Sequence, residues 1–168
     1  MILMKEFVEK YDVKGGTVVD MGSFNVNGTY RDLFPEGQYI GVDIVEGRNV
    51  DIVVGSEEWD ELENVDAVVS GQTIEHVADI TGFMAGIYRI LKPGGLLCII
   101  APSAGPGHDY PVWVGHFSEE RMRDIVTAGG FEILSCTVSD IEPHRDTCCI
   151  ARKPLSITKK GKKRYEDQ

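Results

Sequence analysis

Two acidic side chains close apolar segments early in the chain, at positions where they could hold a ligand. Asp20 lies near the end of the β-branched run Thr17–Met21, and Asp43 ends the run Gln38–Asp43. The first run continues as Gly22-Ser23-Phe24-Asn25-Val26-Asn27-Gly28. Small residues after a buried strand let backbone N–H groups approach a ligand, and an acid about twenty residues on can accept both hydroxyls of a ribose. This spacing predicts a site for a ligand that contains a ribose.

Further candidates follow the next two apolar runs. Ser56 and Glu57 come after the third run, and the fourth ends at Ser70, Gly71 and Gln72, which we expect to face the reacting centre. Glu75 and His76 come next, on the predicted first turn of a helix. Glu75 is interpreted either as a base or as an acid that complements the helix dipole. His76 either moves a proton or packs against a ligand.

The elements that must position these residues alternate between strands and helices. Leu3, Phe7, Val8 and Tyr11 lie at helical spacing, and so do the apolar residues of segment 80–91, which Pro93-Gly94-Gly95 is expected to end. Strands are predicted at 17–21, 38–43, 50–54, 65–70, 96–101, 131–139 and 147–152. Further helices are predicted at 29–34, from an N-terminus in the acidic segment 55–61, and from Ser118 to Gly129-Gly130. This alternation predicts a mostly parallel sheet covered by helices on both faces.

Five segments together resemble the class I S-adenosylmethionine-dependent methyltransferases, a Rossmann-like α/β family. They occur in the family's order at residues 18–23, 41–43, 65–77, 87–95 and 128–131. The resemblance covers about residues 15–152. It implies a single-domain, doubly wound sheet of seven strands with a C-terminal antiparallel hairpin, and the enzymatic transfer of a methyl group from S-adenosyl-L-methionine, which leaves S-adenosyl-L-homocysteine.

The resemblance also implies roles for single residues. Backbone groups of the loop Gly22, Ser23, Phe24, Asn25 would take the amino-acid end of the cofactor, with Asp20 acting directly or through water. Asp43 would take the ribose, Ile44 one face of the adenine, and Ser56 and Glu57 the adenine amine. Ser70, Gly71 and Gln72 would lie near the sulfonium.

Phe24 departs from the family pattern, which has a second glycine there. Asn25 and Asn27 tolerate left-handed backbone better than most residues, so the loop is expected to turn without that glycine. We therefore expect cofactor binding to persist with Phe24 beside the methionine moiety or the acceptor. The alternative is that Phe24 fills the cofactor slot and the domain is catalytically silent.

The long segment 102–117 is predicted to build the acceptor side, because connections of this length without periodicity are often functional lids. Its His108, Tyr110, Trp113 and His116 can pack on an acceptor and move protons near neutral pH. Glu75, His76, His108 and His116 are the catalytic candidates. A metal site from His108, Asp109 and His116 has no diagnostic spacing, so no metal is predicted.

The charge of the chain limits the kinds of molecule that it is expected to bind. The chain has 168 residues, 42% apolar and 26% charged, which is typical of one soluble globular domain, and its net charge is −10. Residues 153–168 hold six basic and two acidic residues, so residues 1–152, the predicted domain, hold 11 basic and 25 acidic. An acidic body disfavours nucleic acid as the main partner and leaves a small-molecule acceptor, modified at O, N or C. The last 16 residues read as a disordered basic tail.

Cysteine usage and hydropathy bear on the compartment. Four Cys without C-x-x-C spacing favour buried thiols of a reducing compartment. No apolar run reaches the ~18 residues of a membrane helix, and no signal peptide pattern is visible. A cytoplasmic protein is expected.

Three rival functions stay open. A nicotinamide-dependent oxidoreductase would share the Asp43 contact but should show G-x-G-x-x-G, which residues 22–27 lack. A silent scaffold domain of the same fold is compatible with Phe24. A methyltransferase of RNA or protein would use the basic tail, against the charge of the body.

Overall fold

The computed structural model describes residues 1–26, 28–107, 113–141 and 145–155. Its seven strands are β1 (Thr17–Met21), β2 (Gln38–Asp43), β3 (Ile52–Val53), β4 (Val65–Gly71), β5 (Leu91–Ala101), β6 (Glu132–Val138) and β7 (Thr147–Arg152). Its helices are α1 (Ile2–Tyr11), α2 (Glu57–Glu61), α3 (Ile80–Ile90) and α4 (Glu119–Ala128). Short 3₁₀ turns lie at Arg31–Leu33 and Ile74–His76.

The strands form one sheet in the order β3-β2-β1-β4-β5-β7-β6. All neighbouring pairs are parallel except those that involve β7, which is antiparallel to both β5 and β6. The predicted seven-stranded sheet with its C-terminal antiparallel pair is confirmed. Because β7 runs backwards, its first residue lies at the same edge as the carboxyl ends of the parallel strands, where ligands of open α/β sheets bind.

Each face of the sheet is covered by apolar side chains. Val19, Val68 and Ile99 point to the face covered by α3 and α4, and Val18, Val69 and Cys98 point to the face covered by α1. All six of these residues are 0% exposed, so water is excluded from both faces of the sheet at these positions. Burial of each aliphatic side chain contributes about 1.5–3 kcal/mol to the free energy of unfolding. The site is therefore built on a rigid sheet edge.

The four cysteines are free thiols and are buried, as predicted. Cys98 and Cys148 lie on the α1 face with their Sγ atoms 4.0 Å apart. Cys136 and Cys149 lie on the opposite face, where they are cross-strand neighbours on β6 and β7.

Three predicted boundaries were wrong. The helix α3 ends at Ile90 and Leu91 already pairs with Val65, so Pro93-Gly94-Gly95 lies inside the range of β5, where the register with β4 shifts. The strand β3 has two residues, shorter than 50–54. Glu75 and His76 lie in a separate 3₁₀ turn, since Asp79 caps α3 four residues after Glu75.

The predicted helix at 29–34 is a single 3₁₀ turn. The Thr29 hydroxyl accepts a hydrogen bond from the Arg31 N–H at 3.1 Å, as a cap would. The segment between Gly28 and Pro35 is too short to repay helix nucleation. No helix dipole therefore points at the glycine loop from this segment.

The chain stays packed beyond the expected domain boundary at residue 152. Lys153 exchanges backbone hydrogen bonds with Gly94 and Gly95, and its Nζ donates to the carbonyls of Tyr88 and Leu91. Residues 156–168, most of the predicted tail, lie outside the described residues.

In the described ranges no helix combines the length and apolar character needed to cross a membrane.

Candidate functional site

The loop after β1 begins at a position that requires glycine. Gly22 has φ +85°, and a Cβ on it would overlap the Thr73 side chain, which lies beyond the end of β4. The loop N–H groups are already used: those of Gly22 and Ser23 donate to the Val42 carbonyl at 2.8 and 3.1 Å, and that of Asn25 to Arg48 at 3.0 Å. Holding the amino-acid end of a cofactor with these N–H groups would thus require the loop to rearrange.

Asn25 does not adopt the left-handed backbone that the sequence allowed, since the positive φ values of the described loop residues are at Gly22 and Gly28. Its side chain instead accepts the Gly28 N–H at 2.9 Å. Asn27 lies outside the described residues.

The Phe24 ring lies on the β2 side of the loop. The backbone N–H of Phe24 donates to Asp43 Oδ2 at 3.0 Å, and a Cβ on Gly47 would overlap the Phe24 ring. The ring is 41% exposed, so it shields one side of the segment after β2 while its other side faces solvent. This is the ribose side in the predicted arrangement, and the expected contact with the methionine moiety or the acceptor stays a prediction.

Asp43 lies at the carboxyl end of β2, half-buried, with each carboxylate oxygen accepting one backbone N–H. Oδ1 accepts from Ile44 at 2.7 Å and Oδ2 from Phe24 at 3.0 Å. Each oxygen has a further lone pair, so the carboxylate can still accept two hydroxyls. Ile44 is 77% exposed, which leaves its side chain available to cover a flat ring.

Asn49 joins the two loops and was missed by the sequence reasoning. Its Nδ2 donates to the Ser23 carbonyl at 3.0 Å, and its own carbonyl accepts the Ser23 hydroxyl at 3.1 Å. Its Oδ1 accepts from Thr29 and from Arg31, whose guanidinium also pairs with Asp51 at 2.6 Å. Asn49 has φ 69°, a left-handed value that Asn tolerates better than most residues, so an Asn in the segment between two strands is the sequence signal that it left.

Asp20 is buried beneath the loop, 4% exposed, and accepts a hydrogen bond from the Tyr39 hydroxyl. Burial raises its pKa to about 6, the Tyr39 hydrogen bond opposes the rise, and Asp43 adds to it. Its position does not give it direct access to solvent, so contact with a cofactor would require the loop to open or a bridging water.

Ser56, which is predicted to contact the adenine amine, forms the N-cap of α2. Its hydroxyl accepts the Trp59 N–H at 3.2 Å and caps α2, while Glu57 is exposed on the first turn. A cleft of about 480 Å³ lies between this helix and the segment after β2. It is lined by Glu46, Gly47, Val50, Asp51, Ile52, Val53, Ser56 and Glu58. The cleft thus contains Ser56 but uses Glu58 in place of the predicted Glu57.

The end of β4 separates its three predicted residues. Ser70 is 0% exposed and donates to the Met21 carbonyl at 2.8 Å, so it ties β4 to β1 and does not face an open site. Gly71 lies under the Tyr30 hydroxyl, which a Cβ would overlap. Gln72 is exposed with φ 56°, a strained conformation of the kind found at functional sites. Tyr30, on the loop after β1, was not singled out from the sequence.

Glu75 is buried on the 3₁₀ turn after β4. It is 2% exposed, and its Oε2 has no hydrogen-bond partner in the described structure. Burial raises its pKa to about 7, its own backbone N–H lowers it, and the neighbouring Asp146 carboxylate raises it further. A buried acid with a pKa near neutrality can exchange a proton at physiological pH.

His76 and His116 lie on either side of Trp113. The His76 Nε2 is 4.0 Å from Glu75 Oε1, and its ring centroid is 6.0 Å from that of Trp113. His116 packs edge-on to Trp113 at 5.3 Å and its Nε2 is 2.9 Å from the Gly105 carbonyl. His108 lies outside the described residues. The structure therefore brings Glu75, His76 and His116 into one neighbourhood.

Asp146 belongs to the same edge, although no sequence pattern pointed to it. It directly precedes β7, and its Oδ1 is buried without a hydrogen-bond partner in the described structure. Its carboxylate, with that of Asp20, adds to the effect of burial in raising the pKa of Tyr30. Tyr30, Glu75 and Asp146 thus face a common region above β4 and β5.

Within the described ranges no group of three or more His, Cys, Asp or Glu side chains could hold a metal ion. The triad His108, Asp109 and His116 includes residues beyond those ranges.

Sequence comparison finds a similarity in the central part of the chain. Residues 28–99 match the family model of the methyltransferase domain. A probable S-adenosylmethionine-dependent methyltransferase of Mycolicibacterium smegmatis is 33% identical over 76 residues, covering 42% of this chain. The alignment spans only 30% of that relative's length.

Structure comparison extends the likeness to the whole fold. The 1,6-didemethyltoxoflavin-N1-methyltransferase of Burkholderia thailandensis, solved with S-adenosylhomocysteine, has a TM-score of 0.70 at 18% identity and covers 89% of this chain and 76% of its own. An S-adenosylmethionine-dependent methyltransferase of Aquifex aeolicus gives 0.66 at 19%, with 89% and 88% covered. The [4+2]-cyclase SpnF gives 0.69 at 17%, with 91% and 80% covered. At these identities the likeness shows the fold alone.

Proposed function

We propose that the chain is a class I S-adenosylmethionine-dependent methyltransferase, which binds S-adenosylmethionine along the carboxyl edge of β1, β2 and β4 and transfers the methyl group to a small molecule. The observation that carries the proposal is the Asp43 carboxylate. It ends β2 beside the glycine loop, and its oxygens keep free lone pairs after accepting two backbone N–H groups.

The residues present fit the nucleoside part of this cofactor. Asp43 would hold the ribose, Ile44 would cover the adenine, and the cleft of about 480 Å³ lies within the ~300–1,000 Å³ typical of small-molecule sites. Ser56 lines that cleft, and Glu57 would need to turn toward it. When bound, S-adenosylmethionine supplies an electrophilic methyl group whose bond to sulfur breaks with the electron pair left on sulfur.

The amino-acid end needs the loop to adapt. Because the N–H groups of Gly22, Ser23, Phe24 and Asn25 already donate within the protein, carbonyl groups of the loop would meet the cofactor's ammonium unless the loop rearranges. Gly71 and Gln72 would border the methyl group, with Tyr30 above them. Glu75, His76 and His116, and His108 from the sequence, are the groups proposed to orient the acceptor or take its proton.

Positioning is the main catalytic device that this site offers. Direct displacement at carbon is accelerated by alignment of the reacting atoms and exclusion of water. The carboxyl edge of the sheet would align the reacting atoms, and segment 113–117, whose Val114 N–H donates to the Glu75 backbone carbonyl at 2.8 Å, would shield them from water. We propose a cytoplasmic enzyme on the basis of its four free thiols.

Binding of the cofactor tests the proposal directly. S-adenosylhomocysteine should bind with a micromolar dissociation constant, roughly 8 kcal/mol, in isothermal titration calorimetry, and nicotinamide cofactors should give no heat. Asp43→Ala should weaken binding by about 1.5–3 kcal/mol, because it removes hydrogen bonds to a charged group and frees the Phe24 N–H. Glu46→Ala, an exposed acid in the same segment, is the matched control. Absence of heat and of a thermal shift at millimolar S-adenosylhomocysteine would refute the assignment.

A silent cofactor-fold domain is the second candidate. It is favoured by the internal use of the loop N–H groups and by the Phe24 ring beside Asp43. A methyltransferase of RNA or protein is disfavoured by the acidic body, whose 25 acidic residues would repel phosphate.

A further inference from the structure

We propose that the acceptor carries a basic nitrogen and that the carboxylates of Glu75 and Asp146 bind it as an ammonium ion. The inference rests on the proposed methyltransferase function and names its substrate class. It follows from two buried carboxylate oxygens that have no hydrogen-bond partner among the described residues, at the edge where the methyl group would arrive.

Glu75 is the stronger of the two observations. A side chain that is 3% exposed has lost its hydration, and Oε2 receives no hydrogen bond in the described ranges. Burying such a group without a partner is costly, and proteins avoid it unless a ligand or a function requires it. The partner that best compensates a carboxylate is a cation with N–H donors.

Asp146 directly precedes β7 and therefore lies at the same edge of the sheet as Glu75, which follows β4. Thr147, the next residue, pairs with Ala101 at the carboxyl end of β5, one strand from β4. The Thr147 hydroxyl donates to the Phe117 carbonyl at 2.5 Å, so segment 113–117 bridges the Asp146 and Glu75 sides. Asp146 Oδ1 is likewise buried and unpartnered in the described structure.

No described Lys or Arg supplies the missing cation. Within 4.0 Å, Glu75 has an ion-pair contact only with His76, and Asp146 has none with a described Lys or Arg. Arg121, the nearest basic residue of segment 113–121, donates to the carbonyls of Val114 and His116 and stacks on Phe117 at 4.2 Å. As far as the described residues go, the two carboxylates thus have no Lys or Arg partner, and we propose that a cation of the acceptor takes that place.

The aromatic groups around the pair suit the rest of such an acceptor. Trp113 lies between His76 and His116, with ring centroids 6.0 and 5.3 Å away. An indole ring can stack on a planar substrate and attract a cation by its π face. The Tyr30 hydroxyl over Gly71 adds a polar group at the side where the methyl group would arrive.

The pair also provides a path for the proton. An ammonium ion cannot act as a nucleophile until one N–H bond breaks, with the proton passing to Glu75 and the electron pair staying on nitrogen. Glu75, whose pKa is raised to about 7 by burial and by Asp146, can take this proton near neutral pH and then release it to water. Asp146 holds the charge of the methylated ammonium product.

The test compares matched ligands that differ only in their nitrogen. Tryptamine and tryptophol, and tyramine and tyrosol, are titrated into the full chain saturated with S-adenosylhomocysteine, by calorimetry at pH 6, 7 and 8. We expect each amine to bind at least tenfold more tightly than its alcohol. Its affinity should rise with pH as Glu75 loses its proton beside Asp146 and His76.

Three variants test whether Glu75 and Asp146 cause the preference for amines over alcohols. Glu75→Gln should remove most of the amine preference and flatten its pH dependence, and Asp146→Asn should reduce the preference without flattening it. Glu120→Gln, an exposed acid on α4, should change neither. Thermal melting of each variant identifies any that does not fold, in which case the other carboxylate decides.

Distinct results would overturn the inference. If neither amine is preferred over its alcohol, the substrate class is wrong. If Glu75→Gln lowers S-adenosylhomocysteine affinity tenfold, the carboxylate serves the cofactor and not the acceptor. Failure of S-adenosylhomocysteine to bind wild-type protein would instead refute the proposed function itself.

Discussion

At the scale of single residues, Phe24 joins the loop after β1 to the end of β2. The ring packs on Gly47 and its N–H holds Asp43, so Phe24 connects the loop after β1 to the acid that would bind the ribose. An aromatic side chain here fixes the loop where the family uses a flexible glycine.

Phe24→Gly should therefore weaken S-adenosylhomocysteine binding. The change removes the ring that covers one side of the site and increases the freedom of the loop in the unbound protein. Val26→Gly, an exposed position in the same loop, carries the flexibility cost without loss of the ring and is the control. Calorimetry measures both. A tenfold gain in affinity for Phe24→Gly, about 1.4 kcal/mol, would identify the ring as a plug and favour a silent domain.

At the scale of elements, α2 and the segment after β2 form the outer cleft. The helix is only five residues long and is capped by Ser56. The same hydroxyl is the predicted adenine contact, so one side chain would serve two purposes. Variants that keep the cap but change the hydroxyl can separate them.

Ser56→Ala should lower the free energy of unfolding by about 1 kcal/mol, the usual loss for an N-cap. Ser56→Asp keeps a capping oxygen and should restore stability in urea unfolding. If the adenine amine also uses this position, S-adenosylmethionine affinity should fall in Ser56→Ala and recover in Ser56→Asp. Equal affinity in all three proteins would assign Ser56 to the cap alone.

At the scale of the whole molecule, buried acids make stability depend on pH. The pKa of Glu75 rises to about 7 and that of Asp20 to about 6, both chiefly because burial disfavours the charged form. The folded state therefore binds more protons than the unfolded state between about pH 4 and pH 7. Stability is greatest below that window and falls as pH rises through it. Asp66 acts in the opposite sense in acid, because Lys92 lowers its pKa.

Urea unfolding from pH 4.5 to pH 8 should show this loss, on the order of 2–3 kcal/mol for each of the two acids. Glu75→Gln should remove the part between pH 5 and pH 7, and Asp20→Asn the part centred lower, with a flat profile in the double variant. A wild-type profile that rises toward pH 8 would contradict the assignment of both carboxyls as buried acids.

The sequence by itself determined the order of strands and helices and which residues end the first two strands. Asp20, Gly22 and Asp43 could be placed because each lies at the end of a strand whose apolar pattern is local, and parallel strands must bring these ends to one edge. The ends of short elements were less predictable. Pro93-Gly94-Gly95 is a case, because a strand took up the residues directly after α3 in place of a loop.

Only the tertiary structure decided which polar groups meet. Ser70 became a structural contact because its hydroxyl reaches the Met21 carbonyl at the end of the neighbouring strand β1, and Ser56 became a cap because α2 begins there. The pairing of Glu75 with Asp146 depends on β7 entering the sheet antiparallel beside β5, which brings the start of one strand to the end of another. Contacts between residues so distant in sequence follow from sheet order and register, and neither is encoded in a local pattern.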